Sequence, residues 1–158
     1  MSRVLFLDID GVLCTHRTMT IEHSWEWDTV GIRMLNKLLE KYDYQLVLSS
    51  TWRYGGNSSM LLRSHGFKNI HKDDATPNIA LEKRGVEIKA WLDAHPEIKH
   101  YAILDDDSDM LPEQKQFFVQ TCGMNGYLIE HHTHLESIMK RANPMAGDTP
   151  EDGGTHGG

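Results

Sequence analysis

The chain has 158 residues, 39% of them hydrophobic and 25% charged, with a formal net charge of −7 at pH 7 and a sequence pI near 5.7. That size and apolar content suit one compact domain with a real core, and the acidic balance excludes a general basic footprint for long nucleic acid. The start of the chain shows neither a signal peptide nor a run long enough to cross a membrane, and Cys14 and Cys122 are its only cysteines, so the expectation is a cytoplasmic location with no membrane partner.

Val4 to Leu7 form a short continuous apolar run of the buried parallel-strand kind. Asp8 therefore falls at a strand's carboxyl end, where open α/β sheets bind ligands. Asp10 follows two residues on, and Gly11 lets the chain turn sharply. Two carboxylates at a strand end repel one another and resist desolvation, so they call for a cation or a charged substrate. Mg²⁺, usually held by one or two carboxylates plus a substrate phosphate, suits them. Taken alone, D-x-D-G reads equally well as a capped turn.

Asp28 caps a helix from Thr29 to Lys41 whose apolar stripe is Val30, Met34, Leu35, Leu38 and Leu39. The next strand, Gln45 to Leu48, runs into Ser49-Ser50-Thr51-Trp52-Arg53. Those hydroxyls and that guanidinium match the oxygens of a phosphoryl group, although the same run in isolation is a loop or helix start. A helix opens at Ser58 or Ser59 and closes at Gly66, and residues 67–82 read as a loop of little helical period. Gly85 to Ala94 carry Ile88, Trp91 and Leu92 on one helical face before Pro96.

Tyr101 to Leu104 form another buried strand, and it too ends in acids, Asp105-Asp106-Asp107-Ser108-Asp109. In a parallel sheet the carboxyl ends of neighbouring strands share one edge, about 5 Å apart, so two acidic strand ends imply one site. Phe117-Phe118-Val119 is the last strand candidate, and Thr133-His134-Leu135-Glu136 is a capping box opening a final helix to about Ala142. The alternation of apolar strands and helical segments predicts an α/β, doubly wound, mainly parallel sheet over residues 1–142. From Asn143 the chain turns to Pro, Gly, Asp and Thr and reads as a disordered tail over 143–158. Neither cysteine nor histidine adds chemistry. Cys14 lacks a partner base, and His131-His132-Thr133-His134 with Cys122 fits no four-ligand zinc spacing, leaving His16 and His71 as candidates for the mouth of the site.

The ordered series L-D-I-D-G-V-L, S-S-x-W-R, R-G-x-E-I-x-x-W-L and I-L-D-D-D-S-D-M, spread over residues 3 to about 121, resembles the haloacid dehalogenase (HAD) superfamily. More narrowly it resembles the small phosphatase-type HAD domains associated with RNA repair proteins. The resemblance implies a Mg²⁺-dependent phosphomonoesterase with a HAD-like Rossmannoid fold. Asp8 is then the nucleophile that forms an aspartyl-phosphate, Asp10 the general acid and base, and Ser50 a phosphoryl ligand with Ser49 as the other register. Arg84 neutralises phosphoryl charge, with Lys83 as the alternative, and Thr51 and Arg53 join the substrate contacts. Asp8, the backbone carbonyl of Asp10, Asp105 and Asp106 are the implied Mg²⁺ ligands, with Asp109 orienting them.

Segment lengths bear on the substrate. Cys14 to Trp27 has room only for a flap, so no large cap domain is expected, and the implied open site suits phosphate on a nucleic-acid end. A mononucleotide or other small phosphomonoester stays open, because the basic residues His16, Arg17, Arg53, Arg63 and Lys83 are scattered. Trp25, Trp27 and Trp52 are stacking candidates, with core packing expected for at least two. No G-x-x-x-x-G-K-[ST] occurs, so this chain carries no kinase domain. The alternative is a signalling module that accepts phosphate on an aspartate and holds it, as receiver domains do; Asp10 discriminates, being useful for turnover and unnecessary for a lasting mark.

Overall fold

The computed structural model describes residues 2–147. Five parallel strands, β1 (Arg3–Leu7), β2 (Gln45–Leu48), β3 (Ile70–Ala75), β4 (His100–Asp105) and β5 (Phe118–Gln120), form one sheet in the order β3-β2-β1-β4-β5. The apolar runs of β1, β2 and β4 make the three central strands because strands buried on both faces must be apolar throughout. Helices α1 (His16–Ile21), α2 (Thr29–Tyr42), α3 (Ser58–Ser64), α4 (Arg84–Asp93) and α5 (Ile129–Ala142) complete an α/β fold with no large cap domain evident. Between β1 and α2 there is only the six-residue α1 and its flanking loops.

Side-chain alternation divides the core into two layers. Leu5, Leu7, Leu46, Leu48 and Leu104 pack on one face with Leu35, Leu38 and Leu39 of α2 and Leu135, Ile138 and Met139 of α5. Val4, Phe6, Val47 and Ile103 pack on the other with Ile88 and Trp91 of α4. The registers Leu7↔Leu48 and Leu7↔Leu104 bring Asp8, Ser49 and Asp105 to one level at the carboxyl edge. Backbone bonds carry the ladder one residue further, from Asp8 N to Leu104 O at 3.0 Å and from Ser49 N to Leu7 O at 2.9 Å.

Four expectations change. Residues 67–82 contain the edge strand β3, Ile-His-Lys-Asp-Asp-Ala, whose mixed polarity suits a strand paired on one side only. Val30 is 53% exposed and leaves the α2 stripe, which starts instead at Gly31 and Ile32. Helix α5 begins at Ile129, four residues before the Thr133 capping box; the ring nitrogen Nδ1 of His131 accepts from Leu128 N at 2.9 Å and caps it instead. The tail expected from Asn143 opens with a 3₁₀ turn over Pro144–Gly147, and Asn143 Nδ2 donates to Tyr42 O at 3.0 Å. The rest of that tail, 148–158, lies outside the described residues.

The revised stripe is testable by urea denaturation. Leu35→Ala, at a fully buried position, should cost about 2–5 kcal/mol, whereas Val30→Ala on the same helix should stay within about 0.5 kcal/mol. Equal losses would contradict the packing described.

Candidate active site

Three acids meet at the carboxyl edge of β1 and β4. Ligand atoms of Asp8, Asp105 and Asp106 all lie within 4.8 Å of one another. Asp8 follows Phe6, and Asp105 follows Ile103, on the sheet face that α4 covers, so both carboxylates turn toward the start of that helix. There Arg84 Nη1 lies 3.3 Å from Asp8 Oδ1 and donates to Asp105 Oδ2 at 3.1 Å. Asp105 is fully buried and Asp8 nearly so, while Asp106 is half-buried.

Two glycines permit this approach. Gly11 has φ +81°, which disfavours any side chain, and a Cβ there would collide with the Asp106 carboxyl. At Gly85 a Cβ would stand 2.6 Å from Gln114 Oε1 and 2.7 Å from Leu111 N, so glycine lets α4 start hard against the loop after β4. Asp109 Oδ2 accepts from Arg84 N at 3.0 Å on that same loop.

Burial first, and then the neighbouring charge of Asp8, pushes Asp105 up to about 9. Asp8 is also raised, by burial against the opposing pull of Arg84. Burial works against the Arg84 charge, but Asp105 and Asp8 outweigh it and hold the guanidinium more firmly protonated than usual. One guanidinium cannot by itself offset the negative charge that three clustered carboxyl groups can carry. The cluster therefore fits a hard divalent cation, with Asp8, Asp105 and Asp106 as the oxygen donors.

The remaining candidates separate clearly. Asp10 stands outside the acidic trio; its Oδ1 accepts from Trp52 Nε1 at 2.8 Å. Ser49 and Ser50 are both fully buried; Ser49 Oγ has no hydrogen-bond partner among the described residues, whereas Ser50 Oγ accepts from Trp52 N at 3.2 Å. Thr51 is exposed at the start of a 3₁₀ turn, and Lys83 is exposed at the N-cap of α4, so the residue that reaches the carboxylates is Arg84. Burial and Asp10 push the Cys14 thiol up, away from a reactive thiolate.

Arg53 is a correction. It is buried, and its Nη2 donates to Glu87 Oε1 and Oε2 at 2.9 and 2.8 Å. Its Nη1 donates to the carbonyls of Ser49 and Ser50 at 2.9 and 2.8 Å. With its guanidinium committed in this way, Arg53 ties the end of β2 to α4 in place of a substrate contact. Glu87 also accepts from Ile79 N at 2.9 Å. The sequence signal for the pair with Arg53 is an acid, Glu87, sharing one helical face with Ile88 and Trp91.

His16 does reach the mouth, its Nε2 3.7 Å from Asp106 Oδ2. His71 does not: it packs edge-on against Trp91 and His95 at ring distances of 5.1 and 5.5 Å. Trp27 is buried, Trp52 half-buried and Trp25 56% exposed. Among the described residues no helix is long and apolar enough to cross a membrane.

Comparison with known families matches residues 4–132 to the family described as the HAD domain in Swiss Army Knife RNA repair proteins. No curated protein matches the chain.

Two measurements check the site. Glu87→Ala leaves the buried Arg53 charge unpaired and should cost about 3–5 kcal/mol in urea denaturation; a loss below about 1 kcal/mol would contradict the clamp. Thermal melting should rise by several degrees with Mg²⁺ at 100 times its Kd, about 2.7 kcal/mol of linkage, and not at all in Asp106→Asn. Because the folded Asp105 value lies above its ordinary 3.8, the stability of the metal-free protein that depends on this proton is present below that value and is lost as pH rises toward 9. The Mg²⁺ increment should therefore grow over that range; an increment independent of pH and of Asp106 would contradict the assignment.

Proposed function

Because the chain belongs to the family of HAD domains in Swiss Army Knife RNA repair proteins, we propose that it is a Mg²⁺-dependent phosphomonoesterase working through an aspartyl-phosphate on Asp8. The observation that carries this reading is the convergence of Asp8, Asp105 and Asp106, with Arg84 against the first two and a separate carboxylate, Asp10, two residues from Asp8. Mg²⁺ on the three carboxylates supplies charge neutralisation and a Lewis acid for phosphoryl oxygens.

The chain's own residues do the rest. Asp8 attacks phosphorus while Arg84 offsets the oxygen charge and favours the ionised form of Asp8. The Ser49–Ser50 hydroxyl pair offers a donor to a phosphoryl oxygen. Asp10 gives a proton to the departing oxygen, then takes one from the water that hydrolyses phospho-Asp8. This second task favours turnover over a lasting phosphate mark.

The substrate class we infer is phosphate on a nucleic-acid end. Between β1 and α2 the chain inserts only the six-residue α1 and its flanking loops, which favours access for a long substrate. A cleft of about 400 Å³ between α2 and the turn after α3 is lined by Arg33, Lys37 and Lys68 with Asn36, Asn69 and a single acid, Glu40. None of these three cations forms an ion pair among the described residues. Asn36 of that lining donates to Gly66 O, next to His65, which stacks on Trp27 at 3.6 Å; Trp27 meets Trp52 edge-on at 5.4 Å, so a series of rings leads from this segment to Asp10. On a chain of net charge −7, a local basic cleft on the α2 face of the sheet suits a polyanion better than a small ester.

Asp8→Asn should lower phosphate release from an aryl phosphate by at least about a thousandfold without lowering the melting temperature; retained turnover would reject the mechanism. Neutralising Arg33, Lys37 and Lys68 to glutamine should raise KM about tenfold for 3′- or 5′-phosphorylated oligonucleotides and leave that for mononucleotides unchanged. An equal change for both would place the substrate among small phosphate esters.

A further inference from the structure

Trp52 holds a position that the phosphatase reading leaves without a task. Its indole N–H donates to Asp10 Oδ1 at 2.8 Å, and its backbone N–H donates to Ser50 Oγ at 3.2 Å. The ring stands edge-on to the buried Trp27, 5.4 Å between centroids at 88°. Packing on one side and a backbone hydrogen bond on the other therefore fix where the indole N–H points.

An indole N–H only donates. Oδ1 of Asp10 must face it as an acceptor, so a proton carried by Asp10 resides on Oδ2. The same bond restricts rotation of the carboxyl group and keeps Oδ2 turned to one side. An acid that is free to rotate would present its proton only part of the time.

We propose that Trp52 is the positioning residue of the acid–base Asp10, holding its Oδ2 as the oxygen that gives and receives the travelling proton. The proposal rests on the phosphatase reading. In the first half-reaction a carboxylate oxygen of Asp8 bonds to phosphorus, the bond from phosphorus to the ester oxygen breaks, and the Asp10 Oδ2 proton passes to that oxygen. In the second, a water oxygen bonds to phosphorus, the Asp8–phosphorus bond breaks, and the water's proton returns to Oδ2. Both proton transfers use one carboxyl oxygen and restore the starting state.

The test separates leaving groups, because an aryl oxide of low pKa departs without a proton whereas an alkoxide does not. Trp52→Phe keeps an aromatic ring against Trp27 and removes the N–H. We expect its kcat/KM for an alkyl phosphate to fall about 10- to 100-fold, and that for 2,4-dinitrophenyl phosphate to stay within about threefold. Its kcat should fall for both esters, with phosphorylated protein accumulating, because the hydrolysis of phospho-Asp8 also needs Asp10. An equal loss of kcat/KM for both esters, or no loss, overturns the role of Trp52. A wild-type protein that turns over neither ester overturns the phosphatase reading itself and this proposal with it. Should Trp52→Phe fail to fold, the isosteric benzothiophene analogue of tryptophan at position 52 removes only the N–H and gives the same contrast.

Discussion

Keeping two carboxylates out of water side by side is costly, and the architecture around Asp8 and Asp105 is organised by that cost. Burial raises both; Asp105 feels the charge of Asp8, and Asp8 that of Asp106. A single guanidinium, Arg84, lies against both. Its placement depends on α4 starting at one position, and the supports converge there: Gly85 packed on the loop after β4, Asp109 accepting from Arg84 N, and the buried Arg53–Glu87 pair joining α4 to the end of β2. A cation at the acidic trio would remove the remaining imbalance, which links metal binding to stability in one balance of charge.

Parallel strand register is what turns separate sequence motifs into one site. Because β1 sits between β2 and β4, residues 8, 49 and 105 leave the sheet at the same level. Alternation along the strands puts Asp8 and Asp105 on the face that α4 covers. Asp8, the Ser49–Ser50 hydroxyl pair and Asp105 thus need no long-range adjustment once the strands have paired. The segment from Cys14 to Trp27 contributes only the six-residue α1.

Much of this was legible in the chain itself. β1, β2 and β4 announce themselves as continuous apolar runs, each followed by acids or hydroxyls, because central parallel strands are buried on both faces. β3 was hidden: an edge strand paired on one side tolerates Lys72, Asp73 and Asp74, so Ile70–Ala75 carries no clear period. Arg53 illustrates a different limit. Beside Ser49 and Ser50 it has the composition of an anion site, but its fate is decided by Glu87, 34 residues away, which sequence spacing does not reveal. In the sequence Trp52 reads as a stacking ring, whereas its bond to Asp10 depends on how the turn after β2 folds back toward the loop after β1. The early start of α5 carries no capping-box signal because its cap comes from a histidine ring in place of the Thr133 hydroxyl.

The central claim is that Asp8, Asp105 and Asp106 surround one divalent cation and so make Asp8 a phosphoryl acceptor. Diffraction from crystals soaked in Mn²⁺ and beryllium fluoride tests it most directly. The account predicts one anomalous peak within about 2.5 Å of the Asp8 and Asp106 carboxylates, and beryllofluoride bonded to the other oxygen of Asp8. A metal bound elsewhere, or beryllofluoride absent from Asp8 while the metal is in place, would contradict it.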